Sequence, residues 1–214
     1  IIYNTIIYNK DIFNQYGLEE PQTFDEFLTV CQTLLDNGVT PIALKSDSWA
    51  GFIWFQAMLA AYDPALYEGI CDGSIAYTDE KVVEVMNQWK DMLDKGYFSA
   101  PMTNVDMAKS VATGSVAMEL EPNYEATTIV NDYGLDSKED LGTFVLPSVD
   151  GAKKIVFYEI APLCVSSTSK DKDAAIEALK SWFTKENQTV FTDITGFLCS
   201  SQVTVDNECV NQMV

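Results

Sequence analysis

The chain has 214 residues, of which 47% are hydrophobic, so it has the length and composition to bury a core. Its 13 basic and 32 acidic residues give a net charge of −19, and it contains no histidine. Such an acidic surface repels phosphate backbones, so we expect no nucleic-acid partner. The lack of histidine excludes Ser-His and Cys-His catalytic pairs and removes the commonest metal ligand.

The first half of the chain predicts strands and helices in alternation. Residues 1–8 are rich in β-formers and predict a strand. Thr23 and Glu26 form a capping box that opens a helix with apolar residues at helical spacing. Residues 41–44 predict a short buried strand, and 52–61 and 78–95 predict helices.

The second half continues the alternation. Residues 116–120 alternate apolar and polar side chains and predict a strand that feeds a helix at 125–131. Two more strands are predicted at 141–146 and 154–160, followed by a helix at 169–185. The pattern predicts an α/β fold with a mostly parallel sheet flanked by helices on both faces.

Three local patterns make narrower predictions. Asp72-Gly73 is typical of a type I′ turn and predicts a small hairpin. The helix at 169–185 has an apolar face that includes Leu179 and Trp182, which we expect in the core. Cys164 lies in an apolar run and is expected to be buried.

Cysteines and short motifs give no sign of a cofactor or a metal. The five cysteines include no CxxC spacing, and their odd number argues against a disulfide framework, although a bridge between Cys199 and Cys209 stays open. No GxGxxG, P-loop or calcium-loop motif occurs. We therefore expect neither cofactor nor metal.

Candidate binding residues follow the predicted strands. In open α/β sheets, ligands lie just outside the carboxyl ends of strands. Aromatic rings can stack on the apolar faces of sugars, while carboxylates and amides bind sugar hydroxyls. The residues at the predicted strand ends that offer these groups are Asp47, Trp49, Glu121, Asn123, Tyr124, Tyr158 and Glu159.

Other interpretations of these residues stay open. The aromatic residues could instead pack in the core. Glu119 and Glu121 lie two apart on a strand and share one face, as the acid and base of a glycosidase could. Carboxylates beside aromatics would also suit a cation such as a polyamine.

Six stretches in order resemble the family 1 extracellular solute-binding proteins of ABC importers. Ile7 to Phe13 resembles the segment "YNKDLF", and Gly114 to Met118 is similar to "G-x-A-A-M". The other four stretches that are similar to family segments begin at Pro21, Gly38, Gly142 and Gly196.

The resemblance implies a periplasmic-binding-protein-like lobe. Residues 1–214 would be the C-terminal lobe of a two-lobe protein, without the N-terminal lobe and the final helices. It implies a monomer that captures a carbohydrate, without catalysis, for an ABC permease. The protein would be a lipoprotein on the cell exterior, or periplasmic.

The resemblance also assigns candidate contacts. Tyr124 occupies a sugar-stacking position where the family often has tryptophan. Asp47 and Trp49 lie in a loop that often contacts ligand in the family, and Tyr158 and Glu159 lie on a strand that enters the cleft.

Overall fold

A five-stranded mixed sheet forms the centre of the structure. The structure is a computed structural model that describes residues 1–46, 48–152, 154–160, 162–199 and 207–212. The strands are β1 (Ile2–Asn9), β2 (Thr40–Ile42), β3 (Val116–Pro122), β4 (Leu141–Phe144) and β5 (Phe157–Glu159). Their order is β2-β3-β1-β4, and β5 pairs with the beginning of β1. The first strand of the chain therefore lies inside the sheet.

The pairing of the strands corrects the expectation of a mostly parallel sheet. β1 runs antiparallel to β3, β4 and β5, and only the β2–β3 pair among the described strands is parallel. Four strands nevertheless run in one direction, because each of three opposes β1 and β2 follows β3. An alternating pattern predicts strands and crossovers, but it does not reveal that an opposite strand is inserted between them.

Helices cover both faces of the sheet, as predicted. The described helices are α1 (Lys10–Tyr16), α2 (Phe24–Asp36), α3 (Ser48–Tyr62), α4 (Pro64–Asp72), α5 (Glu80–Asp94), α6 (Asn104–Ala112), α7 (Asn123–Tyr133), α8 (Lys172–Trp182), α9 (Lys185–Thr195) and α10 (Glu208–Asn211). On one face, Ile6 and Met118 pack with residues of α2, α3 and α5. On the other, Ile7 packs with residues of α6, α7 and α10. The opposite directions of Ile6 and Ile7 follow from the two-residue period of a strand.

The predicted capping box at the start of α2 is present. The backbone N–H of Glu26 donates to the Thr23 hydroxyl at 3.2 Å, and the Thr23 N–H donates back to the Glu26 carboxylate at 3.3 Å. Two N–H groups that the helix leaves without partners are satisfied in this way, so the sequence fixes where α2 begins.

The prediction of a hairpin at Asp72-Gly73 is wrong. Residues 64–72 form α4, and Gly73 ends it in the left-handed conformation with φ 80°. The Asp63 side chain caps the helix by accepting the N–H of Ala65, and Pro64 occupies the first turn. These start signals outweigh the turn preference of an Asp-Gly pair, which also suits a helix end.

The apolar face predicted to be core on α8 is not buried. No residue of α8 is buried, and Trp182 is 41% exposed. Leu163 beside it is 48% exposed, and Cys164 is exposed as well. In the described part of the chain, a shallow groove of about 690 Å³ runs along this face with no element covering it.

The five cysteines are free thiols in the structure. Cys199 and Cys209, for which a bridge was left open, are therefore not bridged. Cys199 instead lies 2.8 Å from the Thr192 hydroxyl, and Cys209 is buried in the core.

Candidate ligand-binding site

A depression of about 320 Å³ opens where the beginning of β1 meets the ends of β3 and β5. The first turns of α3 and α7 form its walls. Its lining consists mostly of apolar and aromatic side chains, with one carboxylate, and comprises Ile2, Asn4, Trp49, Phe52, Ile53, Pro122, Tyr124 and Glu159. Three of the seven predicted residues, Trp49, Tyr124 and Glu159, are therefore brought together here.

Tyr124 is held in place by an aromatic neighbour. It is partly buried, and its ring stacks on Phe197 with centroids 4.7 Å apart and planes inclined by 20°. Burial, followed by the negative charges of Glu125, Glu121 and Glu159, raises the pKa of Tyr124 to about 12. The phenol is therefore neutral at physiological pH, so it can both donate and accept a hydrogen bond.

Trp49 lies in the first turn of α3, so it belongs to a helix that begins earlier than the one predicted at 52–61, and not to the loop in which the family resemblance placed it. Its ring is partly buried and contacts the Lys45 ammonium, which lies 3.9 Å from the ring centroid. Phe52 lies three residues further along the helix and is 55% exposed. Because residues three apart share a helix face, both rings reach the depression.

The two predicted residues of β5 point to opposite faces, as neighbours on a strand must. Glu159 is exposed and lines the depression opposite Ile2 of β1. Tyr158 is 62% exposed but does not line the depression; it pairs across the strands with Tyr3, at 6.2 Å between ring centroids. Because of this alternation, the ligand contact predicted for Tyr158 stays a prediction outside the depression that Glu159 lines.

Asn123, which was predicted to contact ligand, is fully buried in this structure and does not line the depression. Its side-chain oxygen accepts the backbone N–H of Tyr3 at 2.8 Å, and its amide nitrogen donates to the carbonyl of Gly196. Asn123 thus ties the start of α7 to β1 and to the end of α9. It supports the wall that carries Tyr124.

Glu121, which was also predicted to contact ligand, is buried as well and does not line the depression. It is 2% exposed and pairs with Lys45, whose ammonium lies 3.6 Å from a carboxylate oxygen. Glu119 is 1% exposed on the same strand. Neither carboxyl lines the depression, so the pair cannot reach a glycosidic bond as an acid and base.

The buried carboxyls Glu119, Glu121 and Glu125, together with Lys45, are called the acidic cluster below. Burial raises the pKa of Glu119 well above its usual range, and the charges of Glu121 and Glu125 raise it further. Burial also raises the pKa of Glu125, whose carboxylate accepts a hydrogen bond from Asn104. The cluster lies behind the site and shapes its charge.

Asp47, the remaining predicted residue, lies outside the described residues. Sequence reasoning missed Phe52 and Asn4, which the structure adds to the lining. The helical spacing of Trp49 and Phe52 was a usable signal for the first. No pattern marks Asn4, whose position in the depression depends on β5 pairing with β1.

Comparison with known proteins identifies the family. The model of the bacterial extracellular solute-binding protein family matches residues 1–189. The chain belongs to this family. That membership agrees with the expectation of a binding protein and not an enzyme.

Relatives and solved structures agree with the fold. An uncharacterized ABC transporter extracellular-binding protein of Pyrococcus horikoshii is 28% identical over 200 residues, which are 90% of this chain and 44% of the relative. A chitin oligosaccharide binding protein superposes with a TM-score of 0.81 at 20% identity, over 99% of this chain and 56% of the other. A sugar transporter protein of Bacillus licheniformis, in complex with stachyose, gives a TM-score of 0.75 at 16% identity, over 99% and 59%.

The chain spans about half the length of these proteins. The structural likeness confirms the periplasmic-binding-protein-like fold. Within the described residues, no helix combines the length and the apolar character that crossing a membrane requires.

Proposed function

We propose that this chain is the C-terminal lobe of a solute-binding protein that captures a carbohydrate, specifically an oligosaccharide, for an ABC importer. The observation that carries the proposal is the depression in which Trp49, Phe52 and Tyr124 surround one carboxylate, Glu159. Family membership supports the binding role.

The lining suits an uncharged sugar. A pyranose presents C–H faces that pack on aromatic rings and hydroxyls that need polar partners. Three rings supply the apolar contact, while the Glu159 carboxylate accepts hydroxyl protons and the neutral Tyr124 phenol exchanges hydrogen bonds. Stacking on Phe197 fixes the Tyr124 ring before the sugar arrives, which lowers the entropy that binding costs.

A second lobe would complete the site. The depression is partly open, and the apolar face of α8 is uncovered in the described residues. An apolar groove of this size supports a contact with another folded part of the protein. In the proposed mechanism, the lobes close on the sugar and the membrane permease recognises the closed form. We place the protein, as a monomer, outside the cell, with a lipid anchor or in a periplasm.

Titration of the intact protein tests the proposal. Intrinsic fluorescence is followed at one salt concentration with stachyose, maltotriose and chitotriose, and with spermidine and putrescine. We expect saturable binding of a saccharide. Tyr124→Ala should weaken it by at least about tenfold, because a stacking ring is lost.

Tyr77→Ala is the matched control. Tyr77 is 68% exposed and also stacks on a phenylalanine, Phe55, but it does not line the depression. It should leave the affinity unchanged. If only the amines bind, the ligand is a polyamine and not a sugar. If Tyr124→Ala and Tyr77→Ala lose affinity equally, the depression is not the binding site.

A further inference from the structure

We propose that Lys45 is a positioning residue that fixes the Trp49 ring as a wall of the depression. Its effect on sugar affinity depends on the proposed function, whereas its effect on the ring does not. Lys45 itself does not line the depression.

The sheet places Lys45 beside Glu121. β2 and β3 pair in parallel, with Ile42 opposite Met118. Lys45 lies three residues after Ile42, and Glu121 lies three residues after Met118. The parallel pairing therefore brings both residues to the carboxyl-terminal edge of the two strands. The ammonium and the carboxylate lie 3.6 Å apart, and their side chains are 4% and 2% exposed.

The acidic cluster holds the ammonium in place. The charge of Lys45 lowers the pKa of both Glu119 and Glu125, so it acts on three buried carboxyls at once. A buried ammonium that left this position would abandon its partners without reaching water, which is costly. The cation is therefore confined between the cluster and the indole.

The confined cation orients the indole. The Lys45 ammonium lies 3.9 Å from the Trp49 centroid, within the range of a cation–π contact. This contact is strong when the cation has lost its water, and here Lys45 is buried and Trp49 is partly buried. A ring held by one face offers a preorganised surface to a sugar, which improves affinity without adding a contact.

Near-ultraviolet circular dichroism of the ligand-free intact protein tests the effect on the ring. Subtracting the spectrum of Trp49→Phe from that of the wild type isolates the Trp49 band. The same subtraction is repeated in Lys45→Met, in Lys45→Arg and in Lys45→Met/Glu121→Gln. The double variant removes both charges of the Lys45–Glu121 ion pair, so it does not leave the Glu121 carboxylate without that cation.

We expect the Trp49 band to fall to less than about half in both methionine backgrounds and to persist with arginine, which also stacks on aromatic rings. Lys109→Met is the matched control, because Lys109 is exposed on α6 and takes part in neither of the two cation–π contacts of the described residues. An unchanged Trp49 band in the double variant would overturn the proposal.

The second measurement is the affinity for whichever of stachyose, maltotriose and chitotriose binds the wild type. Lys45→Met/Glu121→Gln should weaken binding by about tenfold in the presence of Trp49 and by less than about twofold in the Trp49→Phe background. Equal losses in both backgrounds would show that Lys45 does not act through the ring and would overturn its positioning role. If no saccharide binds the wild type, the proposed function fails. The circular dichroism then decides by itself whether Lys45 positions the Trp49 ring.

Discussion

Glu119 lies in the middle of β3 with both carboxyl oxygens buried and without a hydrogen-bond partner among the described residues. Its raised pKa means that the folded state holds a proton that the unfolded state releases. The stability from this proton is complete below the unfolded pKa of about 4.3 and is lost as pH rises through the folded value. The pKa of Glu125 is also raised, so Glu125 adds a further loss of stability as the pH rises.

Glu119→Gln should therefore flatten the fall of stability between pH 5 and pH 8. We expect the variant to gain on the order of 1–3 kcal/mol relative to the wild type at the higher pH, since no buried charge then forms. Urea unfolding at both pH values measures this. Glu139→Gln, at an exposed position, should follow the wild type; a parallel pH profile for Glu119→Gln would contradict the buried titration.

Asn123 acts on stability rather than directly on ligand. Asn123→Ala removes the acceptor of the Tyr3 N–H and the donor to Gly196, leaving buried groups unpaired. We expect a loss of about 1–3 kcal/mol for each group, measured by urea unfolding. Asn131→Ala, at an exposed position of the same helix, should cost less than about 0.5 kcal/mol. Similar costs for the two variants would refute the role of Asn123.

At the scale of elements, α9 meets α7 at Gly196, which has φ 73°. A Cβ added there would lie 3.0 Å from the Cα of Tyr124 and 2.8 Å from the Cβ of Thr127. The close approach that brings Phe197 onto the Tyr124 ring therefore requires a glycine.

Gly134 serves as the comparison that separates the steric cost of a side chain at Gly196 from the cost of the left-handed backbone. It ends α7 with φ 68°, but a Cβ added there would meet no atom within 4 Å. Gly134→Ala should cost about 1–2 kcal/mol from the left-handed backbone alone. Gly196→Ala should cost clearly more in thermal unfolding and should also weaken saccharide binding, because Tyr124 must shift. Equal costs would mean that α9 does not press on α7.

The sequence predicted the elements better than their contacts. The capping box of Thr23 and the strand into Tyr124 were correct because caps and two-residue alternation are local signals. The burial of Asn123 could not be predicted, because its partner Gly196 lies 73 residues further along the chain. Strand alternation could have separated Glu159 from Tyr158 had the strand been placed to the residue.

At the scale of the molecule, α8 carries an apolar face that no element of the described residues covers. Leu163, Leu179 and Trp182 line the groove along this helix. Sequence periodicity identified this face as apolar but could not show what covers it.

If the proposed second lobe covers this face, the 214-residue chain produced alone should bind a dye for apolar surface more strongly than the intact protein does. Leu179→Lys should reduce dye binding in the isolated chain, because it places a charge in the groove. The same change should destabilise the intact protein by about 2 kcal/mol or more if a second lobe covers it. Equal dye binding by the two forms would argue against that lobe. Val105→Lys, at a position that is 70% exposed on α6, is the control.

The interior position of β1 has a consequence for synthesis on the ribosome. β1 emerges before its pairing partners, which begin at residue 116 and end at residue 159. Both of its edges must therefore wait until more than a hundred further residues have been made, which takes about 5–20 s at usual elongation rates. During that interval an apolar strand with two open edges is exposed to other chains, so the sheet closes late and its folding should be slow for its size.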